Sequence, residues 1–447
     1  MKLYTTIIIS FFTLTSCSEL IDIDAPKHQL SPEQVYGDST TVSSLLANTY
    51  ALVERTVEVN ISGNMGLYTD DFSYTGLTTL QIEFWNSRLS LDNIGVLNVW
   101  KNLYAIIYQC NDLLKHIEDV PISDQQKTSV KGQCLFLRAF SYYFLVNLFE
   151  RVPLVLDTEV NENRLIAQSD PEEIYAIIIK DLLKAKAMLL PEDQNIYANS
   201  EACSALLAKL ALQVNDWESA LEESSFVINS GKYILEEVDK VFYYDSKETI
   251  LQFWTKEGYV SSAIFYIPDS ESEISSTVLT DNLYDSFDKG DLRKLHWIGT
   301  NEVTTSGEVN RYHFPYKYKN RSLTEVNQEY LIAVRLGELY LLRAEALFHL
   351  GRVDEAMADV NTIRTRAGLA AVSASDTETG LTILEEEWRK ELFGEWGMRF
   401  INLKRQGKLN QIIGNLKPTW TSSAKNLPIP QNELMYNPNL KQNPGYN

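Results

Sequence analysis

The sequence predicts a mainly α-helical protein, in which helical hairpins form a right-handed scaffold packed against an irregular, loop-rich region with a few short strands. Apolar residues recur with helical periodicity over most of the chain. Between residues 233 and 327 the pattern changes, and short β-type runs alternate with loops rich in Ser, Asp and Gly. With 447 residues and 45% hydrophobic content, the chain is long enough to bury a sizeable core.

Helix caps and periodicity place the helices in order. Ser31 and Pro32 predict the start of a first helix, as N-cap and first helical residue, and this helix runs on to Leu52. A segment rich in Gly and aromatic residues, 63–74, then interrupts the periodicity. Further helices are expected at 99–117, 124–149, 171–190, 200–211, 217–228, 329–350, 353–367 and 382–395.

Two of these helical pairs share one spacing of small and apolar residues. The spacing matches a tetratricopeptide unit, in which small residues recur where two helices must cross closely. The two copies are dispersed, so they predict tetratricopeptide-like hairpins within one fold instead of a tandem array. The positions are Ala344, Gly351, Ala356, Val360 and Ile363 in one copy, and Ala208, Asn215, Ala220 and Val227 in the other.

The charge balance excludes several classes of partner. Lys and Arg total 40 against 60 Asp and Glu, which gives a net charge of −20. Nucleic-acid binding requires a basic footprint, so we expect no nucleic-acid partner. The same charge opposes adsorption of the folded body to an anionic lipid surface.

The amino terminus has the features of a bacterial lipoprotein. Residues 1–16 read as a signal peptide with a short positive start and an apolar stretch. The segment that ends at Cys17 resembles the lipobox, which implies acylation of Cys17 and a lipid-anchored tether at 17–30. The alternative is an ordinary signal peptide followed by an incidental Cys. Ser18 after the Cys implies, by resemblance to bacterial sorting rules, an outer-membrane protein that faces the cell exterior.

The other three cysteines are Cys110, Cys134 and Cys203. Each lies among apolar residues in a helical pattern, which favours buried free thiols. One disulfide with one free thiol left over is the alternative in an oxidising compartment. No CxxC motif supports a zinc or redox site.

Five segments together resemble the SusD/RagB family of surface glycan-binding lipoproteins. They include FLRAFSYYF, RLGELYLLRAEA, EEWRKELFGEWGMRF and NPNLKQNPGY, where Glu150, Trp388 and Trp396 depart from the usual family pattern. The segments occur in family order along the whole chain, and no ligand residue is transferred by the resemblance. They lie at 133–153, 171–175, 335–346, 386–400 and 437–446.

This resemblance implies a fold, a function and partners. The expected organisation is an N-terminal helical region at 31–232 and a C-terminal region at 233–447. The latter comprises irregular loops at 233–327 and tetratricopeptide-like helices at 328–400, and both regions form one compact unit. The resemblance implies capture of an oligosaccharide and its delivery to a SusC-like TonB-dependent transporter, on which the lipoprotein sits as a lid. The alternatives are a peptide-capturing member of the family and a non-nutrient tetratricopeptide scaffold of the envelope.

A hydrolase is the remaining alternative, and the sequence disfavours it. Glu387 and Glu391 share a helical face, as a glycosidase pair could, but the neighbouring Arg389, Lys390 and Arg399 favour ion pairs on a helical surface. The five histidines form no HExxH motif, and no GxSxG motif occurs. We therefore expect no enzyme, no catalytic residue and no cofactor.

Glycan binding requires aromatic faces for the CH faces of sugars and planar polar groups for the hydroxyls. Two stretches of loop-like sequence supply such residues, whereas Trp100 and Trp254 lie in apolar patterns that favour the core. Calcium at Asp285, Asp288 and Asp291 is unsupported, because the EF-hand spacing is absent, and no metal site is predicted. The predicted ligand-binding residues are Asp70, Asp71, Tyr74, Trp85, Asn86, Arg88, Tyr259 and Trp297.

Overall fold

The computed structural model describes residues 36–189, 195–305 and 307–446. The signal peptide, Cys17, the tether and the predicted helix start at Ser31 lie outside these residues. The first helix that lies wholly within the described residues, α1 (Ser39–Leu52), follows its N-cap Asp38, whose carboxylate accepts hydrogen bonds from the amides of Thr40 and Thr41. The predicted helix therefore does not run unbroken to Leu52, because Asp38 caps a new start.

The Gly-rich segment is partly helical, contrary to the prediction. A π-helical stretch, Val53–Glu58, joins α1 to α2 (Val59–Tyr68), which contains Gly63 and Gly66. A Cβ atom on Gly66 would lie 2.3 Å from the ring of Phe72. This position of the helix leaves no room for a side chain, because Phe72 of the following strand packs directly on Gly66.

The remaining helices follow in chain order. Up to residue 228 they are α3 (Thr79–Trp85), α4 (Ile94–His116), α5 (Asp124–Phe149), α6 (Val160–Asn163), α7 (Pro171–Met188), α8 (Ser200–Gln213) and α9 (Trp217–Ile228). Beyond it they are α10 (Ala263–Tyr266), α11 (Asp281–Ser286), α12 (Leu292–Trp297), α13 (Leu336–His349), α14 (Val353–Arg366), α15 (Thr377–Leu392), α16 (Met398–Arg405), α17 (Leu409–Leu416) and α18 (Gln431–Tyr436).

Neighbouring helices form a continuous row, in which α4, α5, α7, α8, α9, α13 and α14 each pack on the next. The two tetratricopeptide-like hairpins are α8–α9 and α13–α14. Their small residues are buried where the helices cross, as Ala208 and Ala220 show. The turns use left-handed residues, Asn215 with φ 59° and Gly351 with φ 73°. The mainly helical, tetratricopeptide-like fold is therefore confirmed.

Eight short strands pair antiparallel into four two-stranded sheets in the described part of the chain. Leu331–Arg335 pairs with Thr249–Phe253, so the prediction of one helix over 329–350 is wrong at its start. All five residues of that strand are buried, and their backbone groups pair with β4 on one side. On the other side, the amide of Ile332 donates to the hydroxyl of Tyr318 and its carbonyl accepts from the indole nitrogen of Trp396. The strands are β1 (Phe72–Tyr74), β2 (Val152–Pro153), β3 (Gln168–Ser169), β4 (Thr249–Phe253), β5 (Thr277–Leu279), β6 (Ile298–Thr305), β7 (Glu308–Pro315) and β8 (Leu331–Arg335).

A buried cluster of ion pairs joins α15 to the irregular region. Glu391 accepts hydrogen bonds from Arg293, Arg335 and Arg366, and Glu387 accepts from Arg293. Both carboxylates are fully buried. The prediction of surface ion pairs with Arg389, Lys390 and Arg399 is therefore wrong in the location and in most of the partners. Lys390 lies 3.4 Å from Glu387, but the other cations that pair with the two carboxylates come from β8, α12 and α14, which cover this face of the helix.

Other expectations about the core are met. Trp100 is buried, and Cys110, Cys134 and Cys203 are buried free thiols. None of the helices within residues 36–446 that the structure describes is long and apolar enough to cross a membrane.

Candidate functional site

The strongest candidate site surrounds the paired strands β1 and β5. Tyr74 lies opposite Thr277 in this pair, and its hydroxyl accepts a hydrogen bond from the amide of Thr78. Leu77, in the loop that follows β1, is 92% exposed, and Phe265 is exposed on α10, which packs against β5. We call this region, with the adjoining turn at residues 85–88, the β1–β5 surface.

The turn at residues 85–88 presents an aromatic ring and a cation to solvent. Trp85 ends α3 and is 39% exposed, Asn86 is half-buried, and Arg88 is exposed. Between them, Ser87 adopts a left-handed conformation with φ 50°, and its hydroxyl donates to the carbonyl of Tyr68 at 2.8 Å. Such a conformation is unfavourable for a residue with a Cβ, so the surroundings must hold it.

Lys417 holds this turn from the C-terminal part of the chain. Its ammonium group donates to the carbonyl of Trp85 at 2.8 Å, and also to the carbonyl of Leu67 and the hydroxyl of Ser87. Burial lowers the pKa of Lys417 to about 7, against the opposing effect of the carboxylates of Asp70 and Asp71. The nitrogen of Lys417 is thus engaged by two carbonyls and one hydroxyl, and these contacts preorganise the turn.

Asp70 and Asp71 do not face a ligand, contrary to the prediction. Both are buried and pair with arginines: Asp70 with Arg399 at 3.0 Å, and Asp71 with Arg389 at 3.2 Å. Burial raises the pKa of Asp71, whereas for Asp70 the two guanidinium groups outweigh burial and lower it. These carboxylates fix the start of β1 against α15 and α16.

The two arginines also reach the surface beside these pairs. Arg389 and Arg399 line a polar cavity of about 440 Å³, and Arg389 donates to the side-chain oxygen of Asn282 at 2.6 Å. The cavity offers hydrogen-bond donors and acceptors of the kind that pair with sugar hydroxyls. Its other lining residues are Asp285, Ser286, Glu385 and Glu386.

Trp297 has no exposed ring on which a sugar could stack, so its prediction as a ligand-binding residue is wrong. It is 1% exposed, and its indole nitrogen donates to the carbonyl of Val238 at 2.7 Å. The side chains of Lys317, Arg335 and Arg366 lie over its ring. Trp297 therefore lines the buried ion-pair cluster. Tyr259 is half-buried in the loop after β4.

Trp254 is a second aromatic residue for which the sequence-based prediction is wrong. Its apolar run predicted the core, yet the residue is 50% exposed. The strand β4 ends at Phe253, and Trp254 is the first residue beyond the ladder. All residues of β4 are buried, so the strand has no alternation of buried and exposed residues that could have shown that Trp254 lies beyond its end.

The Asp-rich stretch does not form a calcium loop around Asp291. This carboxylate is buried and accepts three hydrogen bonds from the backbone and guanidinium groups of Arg293. Within the described residues, no group of three or more His, Cys, Asp or Glu side chains could hold a metal ion.

Two family models match the chain, one at each end. The model described as "SusD family" matches residues 299–446, and the model described as "Starch-binding associating with outer membrane" matches residues 24–212.

Known proteins are similar over nearly the whole length. SusD-like protein P2 of Formosa agariphila is 27% identical and is aligned over 100% of each chain. Two solved structures share the fold and cover 92% of this chain and 100% of their own. They are a SusD superfamily protein from Bacteroides vulgatus, with 20% identity and a TM-score of 0.80, and a laminarin-binding SusD-like protein, with 24% identity and a TM-score of 0.77.

Proposed function

The chain belongs to the SusD family of carbohydrate-binding proteins, and we propose that it captures an oligosaccharide on the cell surface and delivers it to a TonB-dependent transporter. One family model is described as associating with the outer membrane, and one structural relative is described as laminarin-binding. In this proposal the acylated Cys17 anchors the protein in the outer-membrane bilayer, facing the cell exterior.

The β1–β5 surface is the proposed place of capture. The observation that carries this assignment is the exposed side chain of Trp85 close in sequence to the exposed Arg88. Lys417 holds the main chain of this turn through the carbonyl of Trp85. A sugar would stack on the ring, and its hydroxyls would bond to Asn86 and Arg88. Because the turn is already ordered, binding costs little conformational entropy.

The proposed role is capture without chemistry. The carboxylates most suited to a glycosidase pair, Glu387 and Glu391, are both engaged by arginines in a fully buried cluster. A glycosidase needs two carboxyl groups that flank the bond to be broken, with substrate between them. We therefore assign no catalytic residue and no cofactor.

Peptide capture is the second candidate function. The exposed apolar side chains of Leu77, Ile264 and Phe265 favour it, since a peptide ligand would cover apolar surface that a neutral sugar leaves exposed. Contact with the transporter would cover the same residues, and direct binding of a peptide mixture distinguishes peptide capture from that contact.

Binding is tested with the full-length protein in mild detergent. We expect its migration in native gels to be retarded by soluble starch or laminarin, and unchanged by a casein digest. Binding of the peptides with no retardation by any glycan would replace oligosaccharide capture with the second candidate.

The partner is tested by co-purification. A tagged full-length protein is extracted from its own outer membrane, and the proteins that co-purify are identified by mass spectrometry. A stoichiometric TonB-dependent barrel is the expected result. Recovery of envelope-assembly proteins without a barrel would contradict delivery and favour a tetratricopeptide-like scaffold.

A further inference from the structure

A second cavity, which none of the β1–β5 surface residues line, opens beside strand β4. It has a volume of about 790 Å³, within the range of about 300–1,000 Å³ that is usual for ligand sites. We call it the Trp254 cavity. The residues that line it include Asn195, Tyr233, Tyr244, Gln252, Trp254 and Tyr330.

The cavity has a rigid polar floor. Asn195 is fixed to β4, because its carbonyl accepts from the amide of Gln252 at 2.8 Å and its side chain donates to the carbonyl of Thr249 at 3.1 Å. The side-chain nitrogen of Gln252 donates to Asn195 and to the carbonyl of Tyr244, at 2.8 and 2.7 Å. The amides are therefore held in place before any ligand arrives.

Aromatic rings form the walls. Trp254 is 50% exposed and Tyr244 is 44% exposed. The rings of Tyr244 and Tyr330 lie 5.5 Å apart at 53°, and the Tyr330 hydroxyl donates to Gln328 at 3.2 Å. Tyr233 accepts a hydrogen bond from Asn199 at 3.4 Å. Partly exposed rings above fixed amides are the combination that oligosaccharides require.

The charges of the lining nearly cancel. Lys232 pairs with the buried carboxylate of Glu201, which leaves the exposed Lys247 and Asp245 to offset each other. A strongly charged ligand would find no excess of opposite charge in this cavity. The ligand that fits this lining is therefore neutral.

We propose that the Trp254 cavity is a second binding site for a neutral oligosaccharide, separate from the β1–β5 surface. Two sites on one protein would hold a long glycan at two points, so the apparent affinity for polymer would exceed that for short oligomers. The cavity could be occupied whether or not Trp85 binds sugar, so this proposal does not depend on the assignment of the β1–β5 surface.

The test is ¹⁹F NMR of the full-length protein labelled with 5-fluorotryptophan. The spectra of Trp254→Phe and Trp85→Phe assign the two resonances, and the buried Trp100 serves as an internal reference. The probes are maltohexaose and laminarihexaose, with sorbitol as the control for non-specific effects. We expect one of the two hexasaccharides to shift the Trp254 resonance in a saturable manner, including in a Trp85→Ala variant.

The outcomes separate the two sites. If the Trp254 resonance does not move with either hexasaccharide, or moves only while Trp85 is intact, the second site is refuted. If the Trp254 resonance shifts while that of Trp85 does not, the cavity is supported and capture at the β1–β5 surface is contradicted. Tyr244→Ala should weaken binding at the cavity at least tenfold and leave the Trp85 titration unchanged.

Discussion

The ammonium group of Lys417 donates a hydrogen bond of 2.8 Å to the main-chain carbonyl of Trp85, across most of the length of the chain. The same group bonds to the carbonyl of Leu67 and the hydroxyl of Ser87. One residue of the C-terminal segment therefore fixes the end of α3 and the left-handed residue after it. This contact links the stability of the C-terminal segment to the geometry of the turn at residues 85–88, which belongs to the proposed glycan-binding surface.

Lys417→Met should loosen this turn. The methionine keeps most of the side-chain volume but leaves two carbonyls without their donor, so we expect a loss of about 1–3 kcal/mol in the free energy of unfolding. Affinity for the glycan should fall in parallel, because the turn is no longer preorganised. Urea denaturation and native-gel retardation provide the two readouts. Lys425→Met, at an exposed position nearby in the sequence, is the matched control. Equal effects of the two substitutions would argue against a holding role for Lys417.

Trp85→Ala should lower glycan affinity about tenfold, which corresponds to about 1.4 kcal/mol of lost stacking. The residue is partly exposed, so the melting temperature should change little. Tyr108→Ala, which removes an exposed aromatic side chain from α4, is the control and should bind as the unmodified protein does. Unchanged affinity of Trp85→Ala for starch and laminarin would remove the β1–β5 surface as the place of capture.

Glu391→Gln should destabilise the fold strongly. The substitution removes the one carboxylate that Arg293, Arg335 and Arg366 share in a dry environment, although each arginine keeps another carboxylate partner, and breaking a buried pair costs about 3–5 kcal/mol. Glu386→Gln, on the exposed face of the same helix, should lie within about 0.5 kcal/mol of the unmodified protein in urea denaturation. Similar urea midpoints for the two variants would mean that the buried ion pairs of Glu391 do not stabilise the fold.

The stability of the protein should depend on Glu58 through pH. Burial raises the pKa of Glu58 to about 7 from 4.5, and the nearby carboxylate of Glu54 adds to the shift. The folded state therefore holds a proton that the unfolded state has released, and stability due to this group falls as pH rises from 4.5 to 7.

Glu58→Gln removes this dependence. Relative to the unmodified protein, the variant should gain stability as pH rises through this window, reaching about 3 kcal/mol at pH 8. Thermal unfolding followed between pH 4.5 and pH 8 gives the measurement. Glu271→Gln, at an exposed position, serves as the control. A constant difference between Glu58→Gln and the unmodified protein across this range would contradict a protonated Glu58.

The helical scaffold was predictable because its signals are local. Ala220 and Ala356 mark helix crossings, and Pro171 marks a helix start as the first helical residue of α7. Strand β8 was misassigned because its apolar run is equally compatible with a buried helix, and only the partner strand β4 resolves the choice.

The candidate site was predictable only in part. Trp85 and Arg88 lie at the surface as expected, and their role in binding stays a prediction. Asp70, Asp71 and Trp297 are buried, although each was predicted to bind the ligand. Trp254 is exposed, although it was predicted to lie in the core. No local sequence pattern distinguishes the buried residues from the exposed ones. The burial of each residue depends on a segment distant in the chain, such as Arg399 for Asp70.

The sequence by itself determined the helical hairpins and the family, since both depend on the type and spacing of residues within short segments. Tertiary structure alone decided which aromatic and acidic residues reach solvent. Long-range contacts bury Trp297 beneath Arg335 and fix the main chain at Trp85 through Lys417. Burial is a property of the packed chain, because a side chain is shielded from water by whatever segment the fold brings over it.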